Sequence, residues 1–228
     1  KEKTLNLHKK MAIKFNISND INKIEVYDTS HFSGKEAIGS YIVASIKGFE
    51  KDEYRKYNIK VANTKDDYAM MEEVFNRRLK IKNNLPELVI VDGGKGQLSC
   101  VVKVFEQHDV KNINILSVSK GKMRNSNNER FFNKLGEEVY LERTDPVFYY
   151  LQRLRDEAHR YAILSHRILR KKNQFKSEID LIEEVGPKRK KNLLLYFGSL
   201  NEIKRANIDN LLKVPSINKK TAEKIFNY

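Results

Sequence analysis

Two aspartates in this 228-residue sequence each close a short run of strand-forming residues. Asp28 follows the segment IEVY at 24–27, and Asp92 follows the segment LVIV at 88–91. Carboxylate oxygens that meet at short range suit Mg²⁺, which keeps several waters and binds through one or two acids together with phosphate oxygens of a substrate. A single aspartate at a strand end is more often a helix cap or a turn residue, so the metal hypothesis requires the two to converge.

A histidine on a predicted long helix is the third candidate. Asp145 as N-cap and Pro146 at the first helical position begin a helix that we expect to reach about Lys172. Its apolar positions form one stripe, and His159 falls on another face beside cationic neighbours. Most helical histidines are solvated or capping side chains, but an imidazole can also bind metal or position and deprotonate an attacking water.

The elements that would position these residues follow in the order βββαβαβ, then a hairpin and the long helix. Short β-rich runs within Lys23–Val61 predict three antiparallel strands, and Asp66 as an N-cap begins the first helix of the core. The continuous apolar segment 88–91 predicts a strand covered on both faces. The remaining predicted elements are a helix over 98–105, a strand over 113–118 and a hairpin over 131–141.

This order predicts an α/β fold of the ribonuclease H-like type, with a mixed five-stranded sheet and flanking helices. In that arrangement the first and fourth strands lie side by side at the centre of the sheet, and both face the last helix. Asp28 and Asp92 then meet at one edge of the sheet, and the long helix carries His159 on the same side. The order of the elements therefore favours convergence of the three side chains.

The turn after Asp92 reads GGKGQ at 93–97 and raises the alternative of a nucleotide-binding loop. Glycine amides and a lysine can cradle phosphate, but the Gly-x4-Gly-Lys-Ser/Thr spacing of a P-loop is missing, which argues against that role. Lys95 and Arg155 are instead candidates for phosphate contacts near the aspartates. Ordinary solvated charges are an equally good interpretation of both residues.

The end of the sequence carries an internal duplication, with two similar pieces at 179–196 and 208–226. Each predicts a short helix, a tight turn and a second helix, so we expect a small all-α tandem helix-hairpin-helix domain over 177–228. Such turns present backbone amides to DNA phosphates without reading sequence. The α/β domain is predicted over 21–172, and residues 1–20 read as a linker. The candidate DNA contacts in the hairpins are Gly186, Lys188, Arg189, Lys219 and Lys220.

Composition points to a polyanionic partner. Lysine and arginine number 44 against 30 acids, which gives a formal charge of +14. Nucleic acid is the first expectation and an anionic membrane surface the second. No apolar run approaches the about 18 residues that span a bilayer, which argues against a membrane protein. The single cysteine, Cys100, excludes an intramolecular disulfide framework and suits a reducing cytoplasm.

Four separated segments resemble the UvrC family, the incision subunit of bacterial nucleotide excision repair, in order and spacing. They are DTSH at 28–31, DDYAM at 66–70, VDGGKGQ at 91–97 and RDEAHRYA at 155–162. The resemblance is to the C-terminal half of that family and covers roughly residues 20–228. It implies an endonuclease that uses Mg²⁺ or Mn²⁺ to cut double-stranded DNA 5′ to a lesion or bubble. It also implies UvrB, and UvrA through it, as partners.

The resemblance assigns roles to individual residues. The family's catalytic triad corresponds to Asp28, Asp92 and His159, and the resemblance implies that these residues bind the cation. Asp67 matches a further acidic residue implicated in incision. Arg124 lies in a loop that resembles another basic segment of the family, and it is a candidate for DNA contact with the same reservation as Lys95.

The sequence departs from the family pattern at three positions. Glu184 and Ser216 stand where the family's hairpins usually carry glycine, and Thr29 stands where isoleucine is usual. A residue other than glycine raises the cost of a positive φ angle, and the charge of Glu184 repels phosphate. We therefore expect modest DNA affinity from the hairpins.

Two other functions are compatible with the sequence. A non-catalytic DNA-binding adaptor with a relict ribonuclease H-like fold would keep the core and the hairpins but would tolerate loss of Asp28, Asp92 and His159. A ribonuclease H-like nuclease for junctions or RNA hybrids would keep all three, but the hairpins and the four segments make it less attractive. Comparison of lesion, junction and hybrid substrates separates these functions.

Overall fold

The computed structural model describes the chain except for residues 19, 33–35, 61–65, 82 and 121–128, and gives the backbone alone at 30–32, 36, 120 and 170–180. The chain forms two units, Lys1–His166 and Arg167–Tyr228. The first unit contains α1 (Glu2–Lys14), β1 (Lys23–Phe32), β2 (Glu36–Ser45), β3 (Gly48–Phe49), β4 (Arg55–Asn58), α2 (Asp67–Leu79), β5 (Leu88–Asp92), α3 (Lys95–Gln107), β6 (Asn114–Lys120), β7 (Glu129–Phe132) and β8 (Glu138–Val139). The later helices are α4 (Pro146–Asp180), α5 (Pro187–Phe197), α6 (Leu200–Arg205), α7 (Ile208–Leu212) and α8 (Lys219–Phe226).

The strands form one mixed sheet in the order β3-β2-β1-β5-β6-β7-β8, with β4 also paired to β2. β1 is antiparallel to β2 and parallel to β5, which is parallel to β6. The central pair is thus the predicted one, and the ribonuclease H-like fold class is confirmed. The sheet has more than five strands for two reasons. The two-residue strand β3 forms at Gly48–Phe49, where the sequence predicts a turn, and the predicted hairpin adds β7 and β8 beside β6.

Alternation along the central strands divides the apolar side chains between two cores. Val26 and Ile90 belong to the core that α1 and α4 cover, whereas Tyr27 and Val91 belong to the core that α2 and α3 cover. All four side chains are fully buried. The sheet is therefore a central layer between two helical layers, as the continuous apolar character of β5 predicts.

Residues 1–18 belong to the fold of the first unit, and the prediction of a linker is wrong there. Met11 is fully buried and Phe15 nearly so, in the same core as α4. The buried ring of His8 forms a hydrogen bond of 2.7 Å between its Nε2 and the hydroxyl of Tyr150. The sequence shows only a weak helical pattern here, because lysines separate the buried positions, and two apolar residues of α1, Leu5 and Ile13, are exposed.

α4 is longer than predicted and reaches Asp180. Its start agrees with the prediction, because Oδ1 of Asp145 accepts a hydrogen bond of 2.8 Å from the N–H of Val147. The two units divide after His166, inside this helix, whereas the sequence suggested a boundary at 172–177. A continuous helix carries no turn residue at which sequence alone can locate such a division.

The second unit contains the duplicated hairpins. Equivalent backbone hydrogen bonds close the two turns, at Ile182–Val185 (3.2 Å) and Val214–Ile217 (3.1 Å). Glu184 and Ser216 occupy the same position in their turns, with φ angles of 68° and 73°. Both residues therefore adopt the left-handed conformation that glycine adopts without a steric penalty. The predicted tandem helix-hairpin-helix class is confirmed.

Candidate metal centre

The register of the two central strands brings Asp28 and Asp92 together. Tyr27 on β1 pairs with Val91 on β5, so the two aspartates are the next residues on both strands. Because side chains alternate along a strand, both carboxylates project from the face of the sheet that α4 covers. Asp28 is buried, and Asp92 is partly exposed. The convergence that the metal hypothesis requires is present.

α4 supplies the third side chain. Arg155 and His159 lie one helical turn apart, beside the stripe that packs on the sheet. Nδ1 of His159 lies 2.9 Å from Oδ2 of Asp28. One potential ligand atom from each of Asp28, Asp92 and His159 lies within 4.8 Å of the other two.

These side chains face an open pocket of about 420 Å³. A carboxylate only accepts hydrogen bonds, so the bond to Asp28 requires a hydrogen on Nδ1 of His159. In the neutral ring Nε2 then keeps its lone pair, and the imidazole is half exposed. Two carboxylates and an imidazole are a suitable donor set for Mg²⁺ or Mn²⁺. The pocket is lined by Asp28, Thr29, Asp92, Gly93, Gly94, Ser119, Arg155, Asp156 and His159.

The glycine-rich turn between β5 and α3 forms part of the pocket wall. A Cβ atom at Gly93 would lie 2.0 Å from Oε1 of Gln97, and the same oxygen accepts a hydrogen bond of 2.9 Å from the N–H of Gly94. A Cβ atom at Gly96 would lie 2.4 Å from the hydroxyl of Tyr68, where α2 approaches α3. Close packing therefore accounts for Gly93 and Gly96 without a phosphate-binding loop.

Arg155 lines the pocket and is buried, so of its two interpretations the ordinary solvated charge is wrong, whereas the phosphate contact stays a prediction. Its Nη1 forms an ion pair with Oε1 of Glu129, and its Nη2 lies 2.8 Å from Oδ1 of Asp156. Burial raises the pKa of the Glu129 carboxyl, and the charge of Arg155 opposes that rise. No sequence signal distinguishes Glu129, a single acid at the edge of a polar segment.

The structure does not place every predicted residue in the pocket. Asp67 is the first residue of α2 and is not among the residues that line the pocket. Lys95 is exposed at the start of α3, with its Nζ 5.1 Å from the centre of the Phe132 ring. Arg124 lies outside the described residues. An incision role for Asp67 and DNA contacts by Lys95 and Arg124 stay predictions.

Two of the predicted DNA contacts in the hairpins have partners within the second unit. Nζ of Lys220 lies 2.7 Å from Oε1 of Glu184, although the lysine is well exposed. Arg189 donates from Nη1 to the carbonyl oxygen of Glu184 (2.6 Å) and from Nε to that of Ser216 (2.9 Å), which ties the two turns together. The other predicted contacts, all exposed, are Gly186, Lys188 and Lys219.

Comparison with profiles of protein families shows the family of this chain. The family profile described as the UvrC RNase H endonuclease domain matches residues 12–163, more than half of the chain. The chain belongs to the UvrC family. In this UvrC-family chain, a second profile, described as a SAM-like helix-hairpin-helix tandem, matches residues 177–227.

Curated relatives of this UvrC-family chain are named UvrABC system protein C. The protein of Bradyrhizobium diazoefficiens is 43% identical over 235 residues, which cover 96% of the chain and 34% of the relative. That of Wolbachia pipientis wMel is 46% identical over 218 residues, which cover 94% and 36%. The chain thus spans about a third of the length of these relatives. The catalytic domain of human endonuclease V is similar at 15% identity and a TM-score of 0.35, over 60% of this chain and 74% of that one.

Proposed function

We propose that this chain is a divalent-cation-dependent DNA endonuclease that makes the incision 5′ to a lesion in nucleotide excision repair. The observation that carries the proposal is the convergence of Asp28, Asp92 and His159 in one open pocket, in a chain of the UvrC family. The pocket is open enough to admit a phosphodiester. An adaptor that only binds DNA has no need of this group, whereas hydrolysis needs each member.

Asp28 and Asp92 are the residues that would hold Mg²⁺ or Mn²⁺. The cation, when bound, supplies Lewis-acid stabilisation of the charge that grows on the scissile phosphate. Nε2 of His159 orients the attacking water and accepts its proton, while Asp28 holds the ring through Nδ1 and stabilises the imidazolium. The guanidinium of Arg155 faces the same pocket and can contact the phosphate. Completion of the cation's ligand shell is the alternative role for His159.

The proposed substrate is double-stranded DNA with a lesion or bubble. The formal charge of +14 and the two hairpins favour contacts to the phosphate backbone. Because the relatives are named as protein C of a UvrABC system, we propose that UvrB, and UvrA through it, deliver the damaged strand. Among the described residues, no helix combines the length and the apolar character needed to cross a bilayer.

Strand nicking tests the proposal. A labelled duplex with a bulky lesion in a bubble is incubated with the chain, UvrA, UvrB and either Mg²⁺ or Mn²⁺, and the cut is located on a sequencing gel. We expect a cation-dependent cut on the 5′ side of the lesion. We expect the rate to fall about 100-fold or more in Asp92→Asn and in His159→Ala, because each removes a group that acts on the reacting atoms.

Asp109→Asn is the matched control, because Asp109 is a well-exposed aspartate outside the pocket, and we expect normal nicking. Wild-type rates in Asp92→Asn and His159→Ala would contradict the assigned centre. Binding of the duplex without any cut would favour the adaptor. Preferential cutting of junctions or RNA hybrids would favour the third function.

A further inference from the structure

The guanidinium of Arg155 lies among three carboxylates. It is paired with Glu129 and Asp156, and its charge also interacts with that of Asp92. Although burial alone would lower the pKa of Arg155, these three carboxylates raise it above the ordinary value. The permanent positive charge of Arg155 therefore lies near Asp92, a proposed ligand of the divalent cation. The ion pairs of Arg155 are with Glu129 and Asp156 instead.

Glu129 is the best anchored of these acids. Its side chain is 5% exposed, whereas that of Asp156 is 61% exposed. The pairing of β7 with β6, in which Glu129 lies opposite Lys120, fixes its backbone. Nε2 of Gln152 also donates to Oε1 of Glu129, at 3.4 Å. The buried Glu129 can hold Arg155 firmly, while the exposed pair with Asp156 is screened by water and contributes little.

We propose that Glu129 is a positioning residue, which holds Arg155 so that its guanidinium faces the pocket without capturing the Asp92 carboxylate. The inference rests on the proposed function, since Asp92 is a ligand in that reaction. A guanidinium and a carboxylate readily form a bidentate pair. Without the charge of Glu129, Arg155 would pair with Asp92 and compete with a divalent cation for its oxygens.

Mn²⁺ binding to the whole chain tests the inference, with isothermal calorimetry as the readout. Glu129→Gln keeps the shape of the side chain and removes its charge, and we expect Mn²⁺ affinity to fall about tenfold or more, as for other groups that orient metal ligands. Adding Arg155→Gln to that variant removes the competing cation, and we expect affinity to return to the wild-type range. Glu138→Gln is the matched control, because Glu138 forms an exposed pair with Arg130 in the same hairpin and lies outside the pocket.

A purely structural role for Glu129 predicts a different pattern, in which Glu129→Gln lowers stability but folded molecules bind Mn²⁺ as the wild type does. That result would overturn the inference, as would wild-type protein without saturable Mn²⁺ binding. If Glu129→Gln does not fold, Mn²⁺ binding to the single variant Arg155→Gln tests the inference. Binding at least as tight as wild type supports the inference, and weaker binding overturns it. Because no cut is measured, a chain that binds Mn²⁺ in this pattern but never nicks DNA contradicts the proposed function alone.

Discussion

We expect Asp92→Asn to stabilise the cation-free protein, although the substitution removes a proposed metal ligand. Oxygens of the Asp28 and Asp92 carboxylates lie within 4.8 Å of each other, and Asp28 is buried. At an effective dielectric constant of about 20, two like charges at that distance repel by about 3 kcal/mol. Asparagine preserves the shape of the side chain and removes this repulsion.

The net gain is smaller than the full repulsion. Asp92 is partly exposed, and the positive charge of Arg155 already compensates part of the interaction. After this screening we expect the free energy of unfolding in EDTA to rise by about 1 kcal/mol. For a unit of this size that corresponds to a rise in Tm of about 2–4 °C.

Urea and thermal unfolding in EDTA, followed by the same measurements with Mn²⁺, provide the assay. Mn²⁺ at about 100 times its dissociation constant stabilises a protein by about 2.7 kcal/mol, so the wild type gains stability. Asp92→Asn lacks a ligand, and we expect little gain. The order of stability of the two proteins therefore reverses when the cation is added.

Asp109→Asn again controls for the loss of one negative charge, since Asp109 is 81% exposed and lies outside the pocket. We expect no change in its stability relative to wild type, with or without Mn²⁺. Lower stability of Asp92→Asn in EDTA would refute the electrostatic reasoning. An equal gain from Mn²⁺ in Asp92→Asn and wild type would show that the cation binds elsewhere.

Two further predictions concern other parts of the chain. Glu184→Gly keeps the left-handed conformation of the turn but removes its steric cost of about 1 kcal/mol, and it releases Lys220 from its ion pair. We therefore expect tighter binding of a bubbled duplex in fluorescence anisotropy, and unchanged affinity would show that Glu184 does not compete with phosphate. Burial alone would raise the pKa of Asp145, but Lys14 and the N–H of Val147 lower it, so its stabilising effect is present above its ordinary pKa of 3.8 and is lost as the pH falls through the lowered value. Asparagine caps a helix about as well as aspartate, so Asp145→Asn loses mainly the ion pair with Lys14 and is expected to be less stable by about 0.5 kcal/mol at neutral pH. The difference should close in acid urea titrations, and a difference that persists in acid would contradict this.

The candidate site could be predicted from sequence because local residue patterns mark the ends of strands and the starts of capped helices. Asp28 and Asp92 each follow an apolar run, and the fold class follows from the order of the elements, so their convergence was predictable. The position of His159 follows from the N-cap at Asp145 and helical periodicity. The predictions succeeded where local signals and one topological rule were sufficient.

The errors arise where a contact between distant segments overrides the local pattern. Arg155 falls on the polar side of α4, but it can be buried because the carboxylate of Glu129 on β7 pairs with it. Nothing local to Glu129 marks it as that partner. The first helix likewise leaves only a weak helical pattern in the sequence, because Met11 and Phe15 stand among lysines and are buried by packing in the core of the first unit.

The two bonds from Arg189 to the carbonyl oxygens of Glu184 and Ser216 affect how alanine scans of the second unit must be interpreted. Truncation of Arg189 removes the hydrogen bonds to both turns at once. Weaker binding of nucleic acid after that change therefore does not show that the Arg189 side chain contacts the nucleic acid. Lys188, its exposed neighbour, makes no such hydrogen bonds to the described residues, so its truncation reports more directly on contact with DNA.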